Sequence, residues 1–125
     1  MSSDVTSEQA ANVPVLGIEE IVIEVEDLGR AIAFYEEVVG LKLRSRGPQE
    51  AWFRAGEQWL AVFEKGREGI GPHFAFRIAE EDAERVRQAM ETRGIPVESG
   101  EYSGGPSVYF RDPDGNKIEL HAKRD

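Results

Sequence analysis

The sequence predicts an α+β fold of two βαβββ modules, each a curved mixed sheet with its helix on the outer face, the pair enclosing a cavity. Three observations predict it. Several short segments alternate strictly between apolar and polar residues, two longer ones show helical spacing with capping residues, and the order of elements that begins at Glu20 begins again at His73. A chain of 125 residues is long enough for a real core but too short for two independent ones.

Residues 1–15 are polar and acidic and read as an arm outside the fold, with the body spanning residues 16–122. IEEIVIEVE then places Ile21, Ile23 and Val25 on one strand face and Glu20, Val22 and Glu24 on the other. Asp27 is a suitable N-cap for LGRAIAFYEEVVG, in which Ile32, Tyr35 and Val39 recur at helical spacing and Gly40 supplies the stop. LKLRS, AWFRA and QWLAVFE read as three strands, turned by Gly47-Pro48 and by Gly56.

The second module repeats this order. HFAFRI is a strand, EDAERVRQAMETRG a helix, and IPVES, SVYFR and KIELH are three further strands. Aligning Glu20 with His73 brings Gly40 and Gly94 to within one residue of register. Module one spans about residues 16–66 and module two about 71–122, and neither buries a sufficient core alone. Asp112-Pro113-Asp114-Gly115 is a tight hairpin turn, to which no chemistry is assigned.

Composition excludes several classes of function. With 15 basic and 24 acidic residues the formal charge is −9, which disfavours nucleic acid and anionic membrane as partners and leaves a small molecule or another protein. The chain has no cysteine, so disulfides, thiolate metal sites and a cysteine nucleophile are ruled out. No run of about eighteen apolar residues and no basic-then-apolar leader occurs, and a cytoplasmic protein is expected.

If the aliphatic strand faces lie under the helices, the opposite faces collect Glu20, Trp52, Arg54, Trp59, Phe63, His73, Arg77, Ser107, Tyr109, Glu119 and His121. Each has a plain structural reading. A single histidine in a strand is most often core, aromatic rows are most often packing, and Arg54 or Arg77 could form a salt bridge to Glu20 or Glu24. Against that, such a set suits a polar, aromatic-walled cavity. Guanidinium forks match carboxylate and phosphate oxygens.

EDLGRAIAFYEEVVGLKL near the front and YFRDPDGNKIELH at the end, over residues 16–122, resemble the vicinal oxygen chelate superfamily, which includes glyoxalase I, bleomycin-resistance proteins, extradiol dioxygenases and fosfomycin-resistance enzymes. GEQWLAVFEKG, PHFAFRI and SVYFRDPDGNKIELHA look most like the fosfomycin-resistance branch. That resemblance implies a metal site at Glu20, His73 and Glu119, with Glu20 standing where the branch has histidine. It also implies substrate contacts from Trp59, Ser103, Ser107 and Tyr109. The chain departs from the branch at Val22 for Thr, Trp52 for Tyr and Ser99 near an expected Lys. A fourth carboxylate ligand of the glyoxalase I kind is disfavoured, because Glu64 has the opposite parity to Trp59, Ala61 and Phe63.

One imidazole and two carboxylates suit Mn²⁺, Ni²⁺, Zn²⁺ or Fe²⁺ with open positions for substrate oxygens. The expected protein is a homodimer with shared sites, acting on a small substrate chelated through neighbouring oxygens by lyase, isomerase or thiol-transferase and epoxide-opening chemistry. Tyr109 and His121 are the candidate catalytic groups. The alternative is a metal-free binding protein that sequesters an aromatic or cationic molecule between Trp52, Trp59, Phe63 and Tyr109.

Overall fold

The computed structural model describes residues 13–67, 71–102 and 105–122, with the side chains of residues 101 and 102 left aside. Its described backbone divides into two compact units, one within residues 18–75 and one within residues 76–122 together with residues 13–17. Both carry the predicted order of elements.

In the first unit, β1 (Gly17–Val25), β2 (Lys42–Arg46), β3 (Glu50–Ala55) and β4 (Gln58–Glu64) lie in the order β2-β3-β4-β1. β1 runs parallel to β4 and the other pairs are antiparallel, so the sheet is mixed. The parallel pair requires a long crossover, and α1 (Leu28–Ala33) begins it. Asp27 is extended at φ −130° and its side chain accepts the Arg30 N–H at 2.9 Å, which fixes the helix start.

After Ala33 the helix loosens into a π-helical stretch, Phe34–Val39. It ends where Gly40, at φ 86°, turns the chain and Leu41 N–H reaches back to Tyr35 O at 2.8 Å. This widening corrects the expected helix face. Ile32 and Tyr35 meet the core, but Val39 is 50% exposed, because i→i+5 bonding rotates later residues off the 3.6-residue stripe. Leu41 packs instead.

The core under α1 contains Leu28, Ile32, Ala51, Phe53 and Val62, joined by Ile23, Val25, Leu43 and Leu60. These strand residues share one parity, as alternation requires. Ile21 has that parity and is nonetheless 46% exposed, since α1 lies over β3 and β4.

In the second unit, β5 (His73–Arg77), β6 (Glu98–Tyr102), β7 (Gly105–Arg111) and β8 (Lys117–His121) lie in the order β5-β8-β7-β6, the same permutation as β1-β4-β3-β2. β5 begins in the first unit and continues into this one. A 3₁₀ turn, Glu80–Asp82, leads into α2 (Ala83–Thr92), whose Val86 packs with Ile78, Val108, Leu120 and Ala122. Val13 also packs on this core.

β6 starts three residues later than the expected IPVES strand. Ile95 N–H is taken by Met90 O at 3.0 Å as the helix ends, and Pro96 has no N–H, so neither can join a ladder.

The turn between β7 and β8 is built around Asp112. Its Oδ1 accepts the N–H groups of Asp114 and Asn116, each at 2.9 Å, and its Oδ2 accepts Asn116 Nδ2 at 2.9 Å. The Asn116 side chain, followed by the backbone donors, holds the Asp112 carboxyl below the usual carboxylate range. A depressed pKa means that this stabilisation is complete above that range and is lost as pH falls through it. Asn116→Ala is expected to move the Asp112 carboxyl pKa upward in an NMR pH titration and to weaken the acid sensitivity of folding. Gly115, at φ 90°, is expected to cost about 1–2 kcal/mol in urea unfolding when changed to alanine.

Candidate functional site

The face of the first unit opposite the aliphatic core is a grid set by strand register. Glu20 pairs with Trp59 and Trp59 with Arg54; Val22 pairs with Ala61 and Ala61 with Trp52; Glu24 pairs with Phe63 and Phe63 with Glu50. Three β3 residues, three β4 residues and three β1 residues therefore line up in rows across the sheet.

Ala61 makes the centre of this grid low. It is fully buried, and the Trp52 ring opposite it reaches diagonally to Trp59 at 6.2 Å and to Phe63 at 6.1 Å, both edge-on. The Arg54 guanidinium carbon stands 4.4 Å from the centroid of the Trp59 ring. At the other end, Glu24 Oε2 accepts the Gly66 N–H at 3.2 Å. Glu64 lies outside the grid, by parity, and pairs with Arg67 at 3.7 Å.

His73 is buried at 7% exposure, and its Nδ1 lies 2.7 Å from Gly71 O. A carbonyl only accepts, so Nδ1 carries the hydrogen and, in the neutral ring, Nε2 carries the lone pair. That division is the one used by metal-ligating histidines, whose second nitrogen is anchored to an acceptor. Gly71 adopts φ 90°, a conformation that glycine supplies without strain, to aim its carbonyl.

In the second unit β7 and β8 set Ser107 opposite His121 and Tyr109 opposite Glu119. All four are buried, Ser107 at 1% exposure and Glu119 at 2%. Ser107 Oγ is 2.6 Å from Glu119 Oε2 and 2.7 Å from His121 Nδ1. A hydroxyl has one hydrogen. Donated to the carboxylate, it leaves Oγ to accept from His121 Nδ1–H, giving the chain His121 N–H to Ser107 O–H to Glu119. Charge-assisted hydrogen bonding of this kind fixes the rotation of the Glu119 carboxylate.

Glu20, His73 and Glu119 each offer one ligand atom, and these atoms lie within 4.8 Å of one another. Two carboxylates brought this close repel one another, and a divalent cation held by the same oxygens would reverse that repulsion. An imidazole nitrogen with two carboxylate oxygens is a donor set that fits such an ion.

Arg77 is half-buried on β5. Ser103 lies outside the described residues. Two contributors were not singled out by sequence reasoning: Ala61, whose small size admits Trp52, and the Gly71 carbonyl that orients His73. The parity of Ala61 between Trp59 and Phe63 and the Gly71-Pro72 pair before His73 were the available signals.

A protein-family model described as Glyoxalase/Bleomycin resistance protein/Dioxygenase superfamily matches residues 17–120. The glutathione transferase FosA of Serratia marcescens is 34% identical over 111 residues, covering 83% of this chain and 79% of that protein. The metallothiol transferase FosB of Bacillus licheniformis is 35% identical over 119 residues, covering 88% and 77%. Among solved structures, an extradiol ring-cleaving dioxygenase from Brevibacterium fuscum superposes with a TM-score of 0.76 at 21% identity over 92% of this chain. The present chain spans only 35% of that one, and the likeness is one of fold.

Ser107→Ala removes both buried partners at once. It is expected to lower stability by about 2–4 kcal/mol in urea unfolding, because Glu119 and His121 each lose a hydrogen bond they cannot replace with water.

Proposed function

The chain belongs to the Glyoxalase/Bleomycin resistance protein/Dioxygenase superfamily, and on that premise we propose that it is a divalent-metal-dependent enzyme of the thiol-transferase type, acting on a small substrate through two neighbouring oxygens. One observation carries the proposal: Glu20, His73 and Glu119 offer ligand atoms within 4.8 Å of one another. The names of two relatives, a glutathione transferase and a metallothiol transferase, support the reaction class.

In this reading Glu20, His73 and Glu119 hold one Mn²⁺, Ni²⁺, Zn²⁺ or Fe²⁺. When bound, the ion supplies Lewis-acid polarisation of substrate oxygens. The chain's own residues do the rest. Gly71 O holds the His73 ring with Nε2 toward its ligand role, Ser107 holds the Glu119 carboxylate, and Trp52, Trp59 and Phe63 exclude water and seat the apolar part of the substrate. Thiol transfer forms a carbon–sulfur bond, breaks a carbon–oxygen bond and passes the thiol proton to the released oxygen. Tyr109 and His121 are the proton-handling candidates beside Glu119.

The aromatic cluster supports a second reading, metal-free sequestration of a flat molecule. A cationic ligand is disfavoured over Trp59, because Arg54 already stands on that ring.

We also propose a homodimer, supported by the exposed side chains of Phe34, Val38 and Val39 along the π-helical stretch. Sedimentation velocity is expected to give twice the chain mass. Mixing Glu20→Ala with Glu119→Ala chains is expected to restore no metal binding if one chain supplies all three ligands. Restoration would assign Glu20 of one subunit to the His73 and Glu119 of its partner.

Metal analysis tests the central proposal. One equivalent of divalent ion per chain is expected, with affinity falling at least about 100-fold in His73→Ala, since loss of an orienting neighbour alone costs 10–100-fold. Failure of all four ions to bind at micromolar concentration overturns it and leaves sequestration.

A further inference from the structure

Arg54 carries a donor that the fold does not use. Its Nη1 is buried and has no hydrogen-bond partner among the described residues. A buried charged donor left in this state is costly, because it has given up water and gained no acceptor. Three carboxylates lie on the same strand face, yet none relieves it: Glu50 is two rows from Arg54 on the same strand, with its carboxylate beside Gly47. Glu20 is two strands away in the same row, with Trp59 between them, and Glu24 is in another row and holds the Gly66 N–H.

The guanidinium is held in place by stacking. Its carbon lies over the Trp59 ring, 4.4 Å from the centroid, a cation–π contact that restrains the guanidinium. A planar group presented in this way accepts a partner with two oxygens in its plane. The chain as a whole has a formal charge of −9, but the residue paired with Arg54 across β2 and β3 is a second cation, Lys42. An oxyanion brought by a ligand is an acceptor of the shape and charge that the guanidinium fork fits.

We propose that Arg54, stacked on Trp59, is the receptor for an oxyanion of the substrate, either a carboxylate or a phosphorus oxyanion, and so selects substrates by charge. The assignment rests on the metal-dependent reading for its second half. Two strand spacings separate the Arg54 and Glu20 backbones, about 9–10 Å. The substrate class is therefore a small molecule with a chelating oxygen pair at one end and an anionic group at the other, with its apolar middle over Trp52 and Trp59.

Both tryptophans of the chain belong to this cluster, so tryptophan fluorescence, excited selectively over tyrosine, reports on it alone. The experiment titrates EDTA-treated protein with inorganic phosphate, methylphosphonate and acetate, with choline as the cationic control. A saturable change is expected with at least one oxyanion and none with choline, and the ranking of the three separates phosphorus oxyanions from carboxylates. Arg54→Met should weaken that response at least tenfold while leaving the melting temperature unchanged or raised, because an orphaned donor has been removed. Arg54→Lys, which keeps the charge but loses the fork and the stack, should fall between. His73→Ala should leave the anion response intact.

No saturable response to any of the three anions, or an unchanged response in Arg54→Met, overturns the assignment. So does a lowered melting temperature in that variant together with unaltered anion affinity, which marks a structural role. Metal binding without an anion response sinks the Arg54 proposal alone, and an anion response without metal binding sinks the metal-dependent reading alone.

Discussion

The parallel register of β1 on β4 is the constraint on which the first unit's share of the site depends. It sets Glu20 opposite Trp59 and Val22 opposite Ala61, and the antiparallel register of β3 on β4 then adds Arg54 and Trp52 to the same rows. Because side chains alternate, the same pairing sends Ile23, Phe53, Leu60 and Val62 to the other face and under α1. Slipping β1 by one residue would exchange Glu20 for Ile21 in the row and bury a carboxylate among aliphatic side chains. Hydrophobic burial on one face thus fixes the rows of polar and aromatic side chains on the other.

The second unit reaches a comparable arrangement through polar burial. Ser107, Glu119 and His121 are all less than a tenth exposed, in a place where unpaired polar atoms would be costly. Their cost is offset because one hydroxyl satisfies a carboxylate and an imidazole together. Such a network favours one rotamer for each member, which is what a ligand or a proton-handling group requires. Arg54 is the counterexample, a buried donor with nothing to satisfy it among the described residues.

The helix of the first unit shows how local geometry redirects a sequence pattern. Ile32, Tyr35 and Val39 have α-helical spacing, and a regular helix would bury all three. The π-helical stretch instead leaves Phe34, Val38 and Val39 facing outward, while Tyr35 remains against Phe53 with ring centroids 5.8 Å apart. Apolar surface meant for the core by its spacing becomes surface available to another molecule.

Alternation in IEEIVIEVE, AWFRA, QWLAVFE and KIELH, the cap at Asp27 and the repeat between Glu20 and His73 were enough to give the α+β class, the order of elements and the faces that carry Glu20, Trp52, Arg54, Trp59, His73 and Glu119. Those features are local, fixed by the two-residue pleat and by hydrogen bonds a few residues apart. The start of β6, the π-helical widening, the partner of Ser107 and the isolation of Arg54 Nη1 were not legible. The first two are settled by local competition for hydrogen-bond partners, as when Met90 O claims the Ile95 N–H, and the last two by pairing between residues distant in sequence, as when Ser107 meets Glu119 and His121. Sequence alone determined which residues share the polar face, because the two-residue pleat is local; tertiary structure decided which of them satisfy one another and which, like Arg54 Nη1, find no partner among the described residues.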